Sequence, residues 1–259
     1  MSSKVKLAKL SKSWPLFKLA WADLLQDWKL YVGIVALVTI PTDLLTTYFG
    51  ATSGSTLAAY VSIAGIFMDV ALVYAVVRRH RESKKSLGIR TAYYSGSHAV
   101  LRFLLVALML GVMILPLAIG TEIYSLGVAG GGGSIGEAAL LGIVGLPFML
   151  VSIWLLGRCL LSLIMIVDRE VHPVSAIRLT WRATRRRFWA LFGRSLALVA
   201  YLVMVLILPI IILGIIYLVS KSSFFAVLIQ VAISLVALPL IILYGFYLYD
   251  EVCPSVTEG

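Results

Sequence analysis

Long stretches without any charged side chain dominate the hydrophobic pattern of this chain. Residues 103–121, 138–157, 195–220 and 222–249 contain no Asp, Glu, Lys or Arg. Each stretch is long enough for the roughly 20-residue helix that crosses a bilayer. Two further apolar segments precede them, so we predict six transmembrane helices. Their approximate bounds are 31–49, 57–77, 103–119, 139–156, 196–219 and 225–249.

The composition excludes an ordinary water-soluble domain. Of the 259 residues, 61% are hydrophobic and 13% are charged, and the mean hydropathy is +1.02. Soluble domains are about 45–50% apolar and about 25% charged. A soluble core of this size needs more polar surface than so few charged side chains supply. We therefore predict an all-α, polytopic membrane protein.

The 22 Lys and Arg residues fall almost entirely on one side of the predicted spans. Six precede the first span, seven lie between the second and the third, and eight lie between the fourth and the fifth. The opposite loops carry Lys221 alone. Because loops rich in Lys and Arg stay in the cytoplasm, we expect both termini to be cytoplasmic. Basic residues beside span ends also account for the net charge of +10, so nucleic acid is not an expected partner.

A five-span topology is the competing interpretation. It treats 138–167 as a re-entrant hairpin broken at Pro147 and leaves the basic residues of 178–194 outside. Insertion scales give about 2.5–3.5 kcal/mol for each such charge moved into a bilayer. The placement of the arginines therefore favours six spans.

A short pattern recurs before three of the spans. An apolar residue, a basic residue, two further residues and an aromatic residue occupy 17–21, 89–93 and 177–181. Each following span contains an apolar residue and then a proline. The prolines at these places are Pro41, Pro116 and Pro209, and Pro147 and Pro239 occupy equivalent places in two even-numbered spans.

We interpret this recurrence as three repeats of an interfacial amphipathic helix and a helical hairpin. The repeats cover about 15–85, 86–171 and 172–250, within a single six-helix membrane domain of 15–250. A basic tail of 1–14 precedes this domain, and a short tail of 251–259 follows it.

The three predicted interfacial helices combine aromatic and basic side chains. In the first, Phe17, Trp21, Leu24, Leu25 and Trp28 share one helical face. Aromatic rings favour the headgroup level, and basic side chains reach anionic phosphates. Such helices either anchor the bundle or recognise anionic lipid specifically, and both roles stay open. The candidate headgroup contacts are Lys18, Trp21, Arg90, Tyr93, Arg178, Trp181, Arg182 and Arg186.

Asp69 lies near the middle of the second span. An intramembrane carboxylate is costly and is a functional candidate. One interpretation is a proton or cation site in a transporter or channel, with prolines forming broken helices as in repeat-built carriers. The other is a neutral Asp or a hydrogen bond to Ser152 or Ser195. For Arg158 and Arg194, near the ends of spans, we expect long side chains that snorkel.

No catalytic or metal-binding constellation is visible. His80, His98 and His172 fall in separate basic segments without metal-ligand spacing. Cys159 and Cys253 are expected to be packing residues, and the glycine run of 130–133 is a linker because no basic residue follows it. We therefore expect no enzyme activity and no cofactor.

One segment resembles a known family. Residues 167–193 contain acidic residues, a short turn to Pro173, then Ala-x-Arg-x-x-Trp ending at Trp181 and Phe-Trp at 188–189. This is similar to the glycerophosphoryl diester phosphodiesterase membrane-domain family and related six-span bacterial and archaeal membrane proteins. The match is best over 165–215. The catalytic domain that names the family has no counterpart here, so the resemblance implies no hydrolase activity. It implies a prokaryotic inner-membrane protein of envelope or lipid homeostasis.

Together these features predict an integral membrane protein without a catalytic site. Its expected role is to organise membrane lipids or protein partners, or to serve as an accessory subunit of a membrane complex. Its expected partners are anionic headgroups on the cytoplasmic side and other membrane-protein subunits or further copies of itself. The alternative is a transporter or channel that uses Asp69.

Overall fold

The computed structural model describes residues 12–49, 56–82, 87–129, 135–185, 187–220 and 223–253. Within these ranges the chain forms ten α-helices and no strand. The helices are α1 (Ser13–Gln26), α2 (Trp28–Phe49), α3 (Thr56–Arg81), α4 (Ile89–Ser97), α5 (Val100–Ala129), α6 (Ile135–Cys159), α7 (Ser162–Arg169), α8 (Pro173–Thr184), α9 (Phe188–Ser220) and α10 (Ser223–Val252).

Six helical segments are long and apolar enough to span a bilayer, which confirms the predicted number. They are Trp28–Phe49, Thr56–Arg81, Val100–Ser125, Ile143–Arg169, Phe188–Leu218 and Val227–Val252.

Short and long helices alternate along the chain. α1 precedes α2 and α3, α4 precedes α5 and α6, and α7 with α8 precedes α9 and α10. The threefold repeat predicts one short helix before each pair, and α7 is an addition to it. The equivalence of the three repeats, the single six-helix domain and the side on which the termini lie stay predictions.

Two details differ from the sequence expectation. The predicted outer loop between the third and fourth spans is largely helical, because α5 continues to Ala129 and α6 begins at Ile135. Residues 120–129 contain no proline and continue α5 up to the glycine run, which lies outside the described residues. The broken helices of the transporter interpretation are also not found within the described ranges, since each span proline lies inside a continuous helix. These prolines are Pro41, Pro116, Pro147, Pro209 and Pro239.

The chain divides into two compact units, and the first is built from both ends of the sequence. This unit comprises Met1–Val100 and Gly193–Gly259. Here α2 packs against α10 and α3, α1 against α10, and α4 against α3. Its core contains the fully buried Tyr31, Leu72 and Leu243.

Helix α4 approaches the backbone of α3 closely. A Cβ atom on Gly96 would lie 3.3 Å from the Cα atom of Ala71. A side chain at this position would separate the two helices. Glycine therefore fixes α4 along α3, as small residues do at helix contacts in membranes.

The second unit, Leu101–Phe192, contains most of α5 together with α6, α7, α8 and the start of α9. A Cβ atom on Gly120 would lie 2.8 Å from the carbonyl oxygen of Gly145, so α5 and α6 touch through their backbones. Farther along the same pair, Ser152 Oγ donates to the carbonyl oxygen of Met113 at 3.0 Å. Helix α8 packs against both α7 and α6, which places it at the end of α6 that carries Arg158.

Candidate functional site

Arg158 lies in an aromatic cage at the end of α6. Its guanidinium carbon is 4.3 Å from the ring centroid of Trp154, 4.7 Å from that of Trp181 and 6.0 Å from that of Phe188. The two indoles stand nearly perpendicular, with centroids 5.2 Å apart. Indole faces carry partial negative charge, so this arrangement attracts the cation.

The three rings of the cage come from three different helices. Trp154 lies one turn before Arg158 on α6, the i, i+4 spacing at which helical side chains meet. Phe188 begins α9, and a Cβ atom on Gly157 would lie 3.0 Å from its ring, so glycine at this position admits the phenyl group. Trp181 comes from α8.

One of the two buried threonines of α8, Thr184, contacts the end of α6. Thr184 Oγ1 lies 3.3 Å from the carbonyl oxygen of Arg158 and 2.9 Å from that of Thr180. Thr180 Oγ1 donates to the carbonyl oxygen of Ala176 at 2.8 Å. Thr184 thus supplies a donor to a carbonyl at the free end of α6, where intrahelical partners are missing.

A basic pocket of about 420 Å³ adjoins the cage. Arg158 lines it together with Arg185 and Arg187, from the turn between α8 and α9, and Trp189. The lining contains no carboxylate among the described residues. Arg158 forms no ion pair within the described ranges, and its Nε atom is buried without a hydrogen-bond partner. The pocket is therefore suited to an anion.

An apolar groove of about 400 Å³ is continuous with this basic pocket. Trp154, Phe188 and Trp189 line both, and the groove extends along α6 to Leu150 and along α9 to Phe192. The basic pocket and the apolar groove together match a molecule with a charged head and an apolar chain.

The third predicted helix is divided between two roles. Arg178 and Arg182 are exposed, whereas Trp181 is half-buried in the cage. Phe188 and Phe192 do not extend the apolar face of this helix, because α8 ends at Thr184 and both phenylalanines belong to α9. Arg186, the remaining predicted contact of this helix, lies outside the described residues.

The first predicted helix buries only part of its predicted aromatic and apolar face. Leu16, Phe17, Ala20 and Leu24 are buried in α1. Leu25 is 58% exposed, and Trp28 is the first residue of α2 rather than part of α1.

Of the predicted contacts on α1, one is exposed and the other is half-buried. Lys18 is exposed, with its Nζ atom 5.4 Å from the ring centroid of Trp14. Trp21 is half-buried, and its ring stacks on Phe17 at 6.3 Å. Of these two residues, Lys18 is therefore the one whose side chain is accessible to a headgroup.

In the second predicted helix Arg90 and Tyr93 line the same pocket but make different contacts. Arg90 is exposed and lines an open pocket of about 690 Å³ with Leu37, Phe67 and Tyr94. The Tyr93 hydroxyl donates to the carbonyl oxygen of Ile34 at 2.8 Å. Burial, and to a lesser extent Asp69, raises the pKa of Tyr93 to about 12, so the donor keeps its proton. Tyr93 therefore fastens α4 to α2.

Sequence reasoning missed a polar network that joins α1, α3 and α10. Arg79 donates twice to Asp27, from Nε at 2.6 Å and from Nη2 at 2.9 Å. His80 Nε2 lies 2.9 Å from Asp23 Oδ2. The Tyr247 hydroxyl donates to the same Asp23 oxygen and lies 3.1 Å from His80 Nε2. The available signal was the i, i+4 pair of aspartates on a helix that is otherwise apolar and basic.

Other basic residues at span ends also meet carboxylates. Arg78 pairs with Glu82, and longer contacts join further pairs of opposite charge. These are Arg81 with Asp250 at 3.0 Å, Arg194 with Glu251 at 3.7 Å and Arg102 with Glu170 at 4.0 Å. Arg158 differs from them because no described carboxylate is within reach.

Asp69 is half-buried and forms no hydrogen bond or ion pair with the described part of the chain. Its electrostatic neighbour is Tyr93. The Ser152 hydroxyl, one of its two predicted partners, donates to Met113 instead. Another intramembrane acid, Asp43, accepts a hydrogen bond from Gln230 Nε2 at 3.1 Å, a pair that the sequence did not reveal.

Groups able to hold a metal ion do not assemble within the described ranges, where no cluster of three His, Cys, Asp or Glu residues is found. Cys159 and Cys253 are buried and form no disulfide with each other. His80 is engaged in the network with Asp23 and Tyr247.

Comparisons with family models, curated proteins and solved structures find no match to this chain. The resemblance carried by 165–215 therefore stays a prediction.

Proposed function

We propose that this chain is a non-enzymatic integral membrane protein that binds anionic phospholipids and organises them, or protein partners, at one face of the bilayer. The observation that carries the proposal is the division of α8. It exposes Arg178 and Arg182, one turn apart, while it buries Ala176 and Thr180. An amphipathic helix of this kind keeps its cations available to lipid headgroups.

The expected strength of this interaction is modest and additive. A Lys or Arg near an anionic leaflet contributes about 1 kcal/mol. Arg178 and Arg182 together thus supply about 2 kcal/mol, and exposed Lys18 and Arg90 add to this attraction. Headgroup binding at these residues is therefore exchangeable and sensitive to salt.

The topology belongs to the same proposal. Basic segments are retained on the cytoplasmic side, so α1, α4 and α8 face the cytoplasm and both termini are cytoplasmic. The membrane is the inner membrane of a prokaryote, in accordance with the family resemblance, and the setting is envelope or membrane homeostasis.

Lipid co-purification tests the proposal. We expect native mass spectrometry after mild extraction to show anionic lipids in excess over zwitterionic ones. The double variant Arg178→Gln/Arg182→Gln loses several of these adducts, whereas Arg178→Lys/Arg182→Lys keeps most of them because exposed attraction depends on charge. Wild type without anionic preference, or equal lipid content in both double variants, would contradict lipid binding by α8.

A protein-partner role makes a different prediction. A subunit of a larger complex co-purifies with defined membrane proteins at native expression, in constant ratio and after lipid exchange. Self-association instead gives a multiple of the 28.3 kDa chain mass. A monomer with lipid only would restrict the function to lipid organisation.

The second candidate is a transporter or channel, favoured by the absence of a hydrogen-bonding partner for Asp69 within the described ranges. An unpaired intramembrane carboxylate is typical of proton and cation pathways. The continuous helices through the span prolines do not favour it, since carriers of this type use broken helices. Liposome flux that is lost in Asp69→Asn supports transport, and flux that is equal in the two proteins, or absent from both, refutes it.

A further inference from the structure

We propose that the basic pocket of Arg158, Arg185 and Arg187 holds one anionic glycerophospholipid. Its phosphate binds the arginines, and one acyl chain lies in the apolar groove between Leu150 and Phe192. This inference rests on the proposed lipid-binding function and deepens it. The arginines of α8 attract many exchangeable headgroups, whereas the pocket retains a single lipid.

The first argument is the missing negative charge. Arg78, Arg79, Arg81 and Arg194 each meet a carboxylate. Arg158 meets aromatic rings, and its Nε atom is buried without an acceptor. Cation–π contacts contribute only part of what a partly buried cation loses in leaving water. An anion supplied by a ligand completes the compensation.

The second argument is the type of cation. The charged groups of the pocket are all arginines, whose planar forks bind phosphate through paired hydrogen bonds. The rings of Trp154 and Trp181 hold the Arg158 guanidinium in a fixed orientation. A lysine at this position lacks both the planar stacking and the paired donors.

The third argument distinguishes a lipid from a free phosphate. The apolar groove shares Trp154, Phe188 and Trp189 with the basic pocket. Leu150 precedes Arg158 by eight residues, or about 12 Å along α6 at 1.5 Å per residue. One leaflet contributes about 15 Å of the roughly 30 Å hydrocarbon core. The groove therefore matches most of the depth of one acyl chain, a feature that a free anion does not use.

The test compares full-length variants in nanodiscs of phosphatidylglycerol and phosphatidylcholine, followed by delipidation and native mass spectrometry. Wild type is expected to keep one phosphatidylglycerol per chain. Arg158→Gln is expected to lower its occupancy about tenfold, and Arg158→Lys to lower it severalfold. Arg102→Gln is the matched control, because it removes the same charge from a residue that pairs with Glu170. It is expected to keep the lipid.

A second variant distinguishes lipid loss caused by misfolding from lipid loss caused by removal of a binding residue. Arg185→Gln alters an exposed side chain outside the aromatic cage, so it keeps the fold and is expected to lower occupancy severalfold. The thermal midpoint of each variant in lipid-free detergent checks folding. Unchanged occupancy in folded Arg158→Gln and Arg185→Gln would overturn the pocket.

Two further experiments are needed. One distinguishes a bound lipid from a free phosphate compound, and the other distinguishes the pocket from headgroup binding by α8. Glycerol 3-phosphate is expected not to displace the retained lipid, and displacement at equal concentration would overturn the role of the groove. Arg178→Gln/Arg182→Gln is expected to keep the single lipid while it loses exchangeable adducts. Loss of the exchangeable adducts with no retained lipid in wild type would overturn only the pocket.

Discussion

We expect the ion pair between Arg79 and Asp27 to stabilise the packing of α1 against α3. The variant Asp27→Asn measures its contribution to the free energy of unfolding. Exposed ion pairs contribute about 0.2–1 kcal/mol, whereas breaking a buried pair costs about 3–5 kcal/mol. The two side chains are 29% and 23% exposed and make two hydrogen bonds. We therefore expect Asp27→Asn to destabilise the protein by about 2 kcal/mol.

The matched comparison is Asp250→Asn, which breaks the 3.0 Å contact between Asp250 and Arg81. Those side chains are more exposed, at 31% for Arg81 and 47% for Asp250. Water screens this pair better, so we expect a loss below about 1 kcal/mol. Unfolding is followed in mixed micelles against the mole fraction of denaturing detergent.

A double-mutant cycle isolates the interaction itself. Arg79→Gln combined with Asp27→Asn is expected to cost less than the sum of the single variants, with a coupling energy of about 1–2 kcal/mol. Additive single effects, or equal losses for Asp27→Asn and Asp250→Asn, would refute the reasoning that partial burial strengthens the Arg79 pair.

Three further outcomes are expected. Tyr247→Phe removes a hydrogen bond to a carboxylate and should cost about 1.5–3 kcal/mol in the same unfolding assay. Gly120→Ala should cost about 1–3 kcal/mol because its Cβ atom meets backbone, whereas Gly111→Ala, with open space around it, should be neutral or slightly stabilising. In a chain whose native cysteines are replaced by serine, Ser134→Cys should react with an impermeant thiol reagent added to intact cells. Ser175→Cys should react only after the membrane is opened, and its external labelling would contradict the six-span topology.

The spans were predictable because a bilayer imposes a local rule on sequence. About 20 consecutive apolar residues suffice to identify each span. Helix ends were less predictable, since α5 continues past Ile119 through a segment that includes Thr121 and Glu122. The rule specifies which residues are apolar, but it does not specify where a helix stops.

The candidate site was predictable only in part. The pattern at 177–181 identified Trp181, but the cage also needs Trp154 from α6 and Phe188 from α9. Likewise, Asp27 and Arg79 are 52 residues apart, and Tyr247 lies 224 residues from Asp23. Contacts of this separation depend on which helices become neighbours, and one sequence carries little information about that choice.

The order of synthesis has a consequence for the polar network of α1. Asp23 is made well before its partner Tyr247, which follows 224 residues later. At about 5–20 residues per second, the ribosome needs roughly 11–45 seconds to cover that distance. The whole of Leu101–Phe192 is synthesised within the interval. A nascent chain therefore carries an incompletely neutralised aspartate beside the membrane until its last span is made, and closure of this network marks the completion of the first unit.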